Sequence, residues 1–283
     1  MSRLDAEAVA ASVRDLPALP AVVMELIQSL GQSDISAEQL ADKISHDQAL
    51  AAKTLRLANS SFYGMSRQVT SIAEATAILG LRTLRSVATA AGLAGAFSAK
   101  AFTELDFKAF WRHSIGTALC ARSLARTQRL DEDTAFVVGL LHDIGRLALA
   151  SNFPVAFAEA LAHQHTHDCP AFEAEQAVLG TDHTVVGGLI AEHWRFTPGI
   201  VEAIVQHHRP ARAAPGSAAT MADLVNVADN MAHALDLSHL DSDMVPPISM
   251  DAWLRLALDE ARCRDIFQRV EAQHESVCQA LSV

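Results

Sequence analysis

His113, the pair His142-Asp143, His183, the pair His207-His208 and Asp229 stand in that order along a chain of 283 residues. Imidazoles and carboxylates are the side chains that bind borderline divalent metals such as iron, manganese and zinc. Metal centres that act on phosphoesters are built from such mixtures, with one or two ions. The chemistry implied is therefore metal binding, with Asp143 a candidate bridge between two ions.

Each station also has a scaffold explanation. His142 and Asp143 sit inside the apolar run from Phe136 to Leu149, which predicts a buried helix carrying both. A carboxylate there needs a cation, donors or a metal to offset its desolvation. Arg146, three residues on, is a same-helix partner that would satisfy it without any metal. Asp229 falls on the stripe of Val225, Ala228 and Ala232 and faces the same demand.

His207 and His208 end a helix that Thr197 and Pro198 start. Adjacent helical residues point about 100° apart, so the pair is poorly placed to grip one ion and better placed to address two. The alternative is that imidazolium at a helix C-terminus interacts favourably with the dipole. His113 lies on a helix with Ile115, Ala118, Leu119 and Leu124, and His183 opens a helix after Thr181-Asp182; each alone reads as a core or capping histidine. Gly187 and Gly188 would let the helix of His183 approach a neighbour closely.

Two other clusters are weaker. His163, His165, His167 and Cys169 lie in a polar, turn-prone stretch and read as a solvated surface segment. Arg56, Arg67, Arg82 and Arg85 could make a small anion-binding face, the alternative being a solvated helix surface.

The elements that must position the stations all read with helical period, and no alternating run bounded by turn signals suggests a sheet. The fold class is all-α, a helical bundle. Pro20 can start a helix through Val22, Val23, Leu26, Ile27 and Leu30 that Gly31 stops, and Ser36 is a helix start. Asn59 to Gly64 reads as a turn. Helices are expected from Ser71 to Leu79 and from Leu81 to Ala96. We divide the chain into an N-terminal helical part (14–105), a helical core holding every station (106–236) and a helical tail (237–283) carrying Trp253, Leu254, Leu256, Leu258, Ile266 and Phe267, expected to dock on the second half.

Composition narrows the function classes. Half the residues are hydrophobic and 19% are charged, enough to bury a sizeable core. A net charge of -11 argues against broad nucleic-acid or anionic-membrane binding. Cys120, Cys169, Cys263 and Cys278 lack metal or redox spacing and read as reduced thiols of a cytoplasmic protein. The N-terminus has no signal-peptide core, and the apolar stretch from Ser86 to Ala99 is short of the ~20 residues of a membrane span.

Leu16-Pro-Ala-Leu-Pro20, Ile44-Ser-His-Asp-Gln-Ala-Leu through Asn59-Ser-Ser-Phe-Tyr-Gly64, and Val69-Thr-Ser-Ile-Ala-Glu-Ala through Leu81-Arg-Thr-Leu-Arg85 resemble the HDOD domain, the HD-related output domain of bacterial signalling. Gly139-Leu-Leu-His-Asp-Ile-Gly145 and His207-His-Arg-Pro210 continue the resemblance, which spans roughly 14 to 236. It implies an HD-domain-like helical fold and a regulatory or output module that binds a signalling protein partner or a small phosphate-containing ligand.

The order His113, His142-Asp143, His183, His207, His208, Asp229 is similar to the metal-ligand set of the related HD-GYP phosphodiesterases. The alternative implied is a metal-dependent phosphohydrolase acting on a nucleotide or cyclic dinucleotide, with Asp143 and Arg146 as its catalytic pair. Ala109 stands where those enzymes carry a further acidic ligand, Arg146 where they carry a catalytic lysine, and no GYP triplet follows His208. Arginine keeps phosphate anchoring but not proton transfer.

Overall fold

The computed structural model describes residues 3–14, 16, 19–28, 36–65, 67–97, 104–212, 216–240 and 244–283. Among them the chain is helical with no strand, as the period of its apolar residues predicts. The expected stop at Leu30 and Gly31 lies outside the described residues.

The first part holds α1 (Ala6–Arg14), α2 (Ala21–Gln28), α3 (Ala37–His46), α4 (Gln48–Ala58), α5 (Ile72–Leu79) and α6 (Leu81–Ala96). Their starts are set by side chains that accept from otherwise unpaired backbone N–H groups. Ser36 and Gln39 form a reciprocal capping box, Asp47 accepts from Leu50 N, and Ser71 accepts from Glu74 N. The turn after α4 is fastened by Asn59, whose side chain bonds Leu55 O, Val69 O and Val69 N.

The second part is organised around α7 (Phe107–Gln128), capped by Asp106 and buried through most of its length. Around it lie α8 (Glu132–Leu141), α9 (Ile144–Asn152), α10 (Pro154–His167), α11 (Ala171–Leu179), α12 (His183–His193), α13 (Pro198–Gln206) and α14 (Met221–Ala234). Gly139 sets the approach of α8 to α7: a Cβ there would stand 2.7 Å from Ala118 Cα, so any side chain would push the two helices apart. The stretch Glu132–Asn152 is long and apolar enough to cross a membrane, yet it is mostly buried inside the fold.

Arg122 of α7 ties the two parts together. Its guanidinium lies 4.7 Å from the Phe62 ring centroid, donates to the Tyr63 hydroxyl at 3.3 Å, and pairs with Asp133 at 3.3 Å. Phe62 stacks in turn on Phe136 of α8.

The tail forms α15 (Met250–Leu256) and α16 (Glu260–Leu281). It does not dock on the second half alone. On one side Ser61 N donates to Ser276 Oγ. On the other, Arg112 of α7 pairs with Glu275 at 2.9 Å, and the His274 ring bonds Arg112 O at 2.7 Å. A 22-residue helix is long enough to span both parts, a reach its composition did not reveal.

Three of the four arginines have partners or burial that the sequence did not reveal. Arg67 pairs with Glu74, Arg82 pairs with Asp131, and Arg85 is buried rather than solvated, because α6 is covered over most of its circumference.

Candidate metal centre

The run through His142 and Asp143 does not form one helix. It breaks between α8 and α9, so that His142 caps the end of α8 and Asp143 stands at the start of α9. The His142 Nδ1 bonds Gly139 O at 2.8 Å, which turns Nε2 inward. Just past the break, Gly145 lies directly against α12: a Cβ there would fall 2.1 Å from His183 O and 2.7 Å from Gly187 N. The close approach expected from Gly187 is therefore completed by Gly145 opposite.

His207 is also a cap, at the end of α13, with Nδ1 on Ile204 O at 2.7 Å. Asn226 of α14 donates to His207 O at 2.8 Å and fixes the turn. His207 itself keeps helical dihedrals, φ -61° and ψ -30°. His207 and His208 have ring centroids 4.0 Å apart and, with Asp143 and His183, fall in one group whose ligand atoms lie within 4.8 Å of one another. The pair, expected to be better placed to address two ions than one, thus also falls within a single candidate group.

All seven stations converge. Asp143 Oδ1 is 3.1 Å from His183 Nε2, 3.5 Å from His207 Nε2 and 3.6 Å from His142 Nε2. Asp229 Oδ1 is 3.0 Å from His113 Nε2 and 3.5 Å from His142 Nε2. His142 thus faces both carboxylates. Arg146 lies 3.7 Å from Asp143 Oδ2, within reach of the same-helix pairing but too far for a hydrogen bond.

Three residues complete the site beyond those read from the sequence. His233, one turn after Asp229 on α14, places Nε2 3.3 Å from Asp229 Oδ1 and lines the same small cavity as His113 and Ala109. It supplies a donor atom where Ala109 has none. Glu175 of α11 accepts from both the backbone N–H and Nδ1 of His183, at 2.8 and 2.6 Å. Phe172 stacks on the His208 ring at 4.6 Å and carries the Arg209 guanidinium over its ring.

The electrostatics follow from burial and crowding. Burial works to raise the Asp143 carboxyl, but the imidazoles of His142 and His183 outweigh it and hold it well below the usual carboxylate range. Asp229 is likewise held low against burial by His233, His113 and His142. Burial, with His207 and His183 alongside, keeps His208 neutral far below its ordinary value. His183 goes the other way: against burial, Glu175 and Asp143 raise it to about 10.

Divalent ions fit this set on three counts. His113 Nδ1, His207 Nε2, His208 Nδ1, Asp143 Oδ1 and Asp229 Oδ2 are buried without a hydrogen-bond partner, a costly arrangement for a centre that satisfied itself. His208 Nδ1 and Asp229 Oδ2 face each other across 3.8 Å, which is too long for a hydrogen bond. The Nε2 atoms of His183 and His208 are 3.0 Å apart and those of His113 and His142 are 3.3 Å apart. Two ligands on a common ion at ~2.0–2.1 Å stand at about such separations. The groups Asp143–His183–His207–His208, His113–Asp229–His233 and His113–His142–Asp143 are the candidate ligand sets.

The other histidine cluster stays outside. His163, His165 and His167 lie on the last turns of α10, helical rather than turn-like, with His165 and His167 exposed and the His163 and His167 rings stacked.

The HDOD domain family matches residues 16–210. An HDOD domain protein of unknown function from Geobacter sulfurreducens superposes with a TM-score of 0.74 at 25% identity, covering 98% of this chain and 95% of that one. A protein from Shewanella amazonensis, provisionally termed a phosphohydrolase, superposes with a TM-score of 0.69 at 27% identity, covering 93% and 98% of the two chains. A curated Treponema pallidum protein, itself uncharacterized, is 26% identical over 206 residues, 72% of this chain; the chain spans 39% of that relative's length.

Proposed function

The chain belongs to the HDOD family, and from that premise we propose that it is a signal-transduction module whose HD-type centre holds one or two divalent ions and binds a phosphate-bearing small molecule. The observation that carries this reading is the set of buried, unpartnered nitrogen and oxygen atoms on His113, Asp143, His207, His208 and Asp229, residues that all belong to the candidate ligand groups. Scaffold alone gives no reason to assemble so many uncompensated groups.

His113 and His142 face Asp229, while His183, His207 and His142 face Asp143, which divides the ligands between two neighbouring positions. Glu175 fixes the tautomer of His183 by accepting from Nδ1, leaving Nε2 free to face the centre. Ions bound there would lend Lewis acidity to a phosphoryl oxygen. Arg146 lines the cavities on both sides of the centre and is the anchor for the phosphate, since a planar guanidinium can bind two phosphate oxygens at once.

The test is elemental analysis of the untagged protein for iron, manganese and zinc, followed by calorimetric titration with inorganic phosphate. Bound metal, and phosphate binding lost in Arg146→Ala with metal retained, is the expected result. Absence of metal after reconstitution, or phosphate binding indifferent to Arg146, overturns the reading.

A second reading, hydrolysis of the bound phosphoester, is favoured by one observation: Asp143 belongs to two of the ligand groups, its Oδ1 standing among His183 and His207 of one and His142 of the other, the placement a bridging carboxylate needs. A phosphoester panel tested with the wild type and Asp143→Ala decides it. Turnover only in the wild type supports hydrolysis, and equal turnover in both rejects it.

A further inference from the structure

Three cavities share Arg146. Two lie against the centre, one of about 50 Å³ beside His113 and His233 and one of about 40 Å³ beside His183 and His208. The third is larger, about 300 Å³, and none of the seven stations lines it. It adjoins the others and shares walls with them: Leu105, Asp106 and Leu240 also wall the first, and Gln164 also walls the second. Arg146 is the residue that lines all three.

The larger cavity has a definite chemistry. Leu105, Leu161 and Leu240 give it apolar walls, and Glu104, Asp106 and Gln164 give it hydrogen-bonding groups. Apolar walls with a few polar groups are the usual make-up of a site for a flat organic ring. The carboxylates favour a ring edge that carries N–H donors. They also disfavour further phosphates, as does the net charge of -11. Small-ligand clefts run from ~300 to ~1,000 Å³, so this one takes a single ring system with a short linker and not two.

We infer that this cleft receives the nucleoside half of a nucleoside monophosphate whose phosphate lies at Arg146, and that a cyclic dinucleotide is too large for it. The inference rests on the phosphate-binding reading above and deepens it. Leu161 and Glu104 line only this cleft, so they separate the two claims.

The experiment is calorimetric titration of the manganese-reconstituted full chain with inorganic phosphate, guanosine and adenosine monophosphates, and a cyclic dinucleotide. A monophosphate is expected to bind roughly ten-fold or more tightly than phosphate. Leu161→Trp, which fills the cleft, and Glu104→Ala, at an exposed position that leaves folding intact, should bring the monophosphate down to the phosphate level. A monophosphate no tighter than phosphate, an undiminished gain in Glu104→Ala, or a cyclic dinucleotide binding as tightly as the monophosphate overturns the inference while leaving phosphate binding in place. Failure of phosphate itself to bind removes the parent reading and this inference with it.

Discussion

Glu175 Oε2 accepts two hydrogen bonds from one residue, the backbone N–H and the Nδ1 of His183, at 2.8 and 2.6 Å. With Nδ1 anchored to a carboxylate that the residue's own backbone also holds, the ring directs Nε2 toward Asp143 at 3.1 Å. Glu175→Gln keeps the shape and removes the charge. Loss of such an outer partner costs roughly ten- to a hundred-fold in metal affinity. Competition titration with a chelator checks this, and unchanged affinity would show that Glu175 only caps α12.

His233→Ala should lower metal occupancy on the His113 side while leaving the His183 side loaded. The ligand groups divide that way, His113–Asp229–His233 against Asp143–His183–His207–His208. Anomalous scattering or stoichiometric titration of the variant reads the two positions separately. A variant with both positions filled at wild-type affinity would place His233 outside the ligand set.

Gly145→Ala should destabilise the fold and the centre together. The added methyl would meet backbone atoms at 2.1 and 2.7 Å, and backbone cannot rotate away as a flexible side chain can. Overpacking of this kind costs about 1–3 kcal/mol or more. Denaturant unfolding of metal-free protein gives the stability loss. A stability equal to wild type would mean that α9 and α12 can separate freely.

His274 predicts a pH effect at a distance from the ligands. Its ring is buried on α16 and bonds Arg112 O, and burial, with Arg112 nearby, lowers its pKa below the ordinary 6.5. The unfolded chain then binds a proton that the folded chain refuses, so stability is present above pH 6.5 and is lost as pH falls through the lowered folded value. Unfolding of metal-free wild type and His274→Gln across pH 7.5 to 5 should show a steeper acid loss in the wild type. Parallel curves would mean that His274 takes up its proton at the same pH in the folded and unfolded chains.

The helical class was legible because apolar period survives almost everywhere, and the caps at Ser36, Ser71, Asp106 and Asp182 are local signals with local consequences. All seven stations do meet, as the cost of burying Asp143 and Asp229 implied. The break at His142-Asp143 was not legible, because the apolar run continues through it without a Pro or a capping signal. That His207 and His208 share a candidate group with Asp143 and His183 depends on tertiary contacts that the spacing of the pair does not reveal.

His233 and Glu175 were missed although signals existed. His233 is four residues after Asp229, and Glu175 shares the buried stripe of Phe172, Val178 and Leu179. The criterion that singled out Asp229, a carboxylate on an apolar stripe, applies equally to Glu175. The span of α16 across both parts depends on tertiary contacts alone.

The central claim is that these side chains hold metal, and metal content measures it most directly. Untagged protein, reconstituted separately with iron, manganese and zinc and freed of excess ion, should retain one to two equivalents of at least one of them, and Asp143→Ala with Asp229→Ala should retain none. Trace metal in the wild type after each reconstitution, or equal retention in the double variant, would contradict the account.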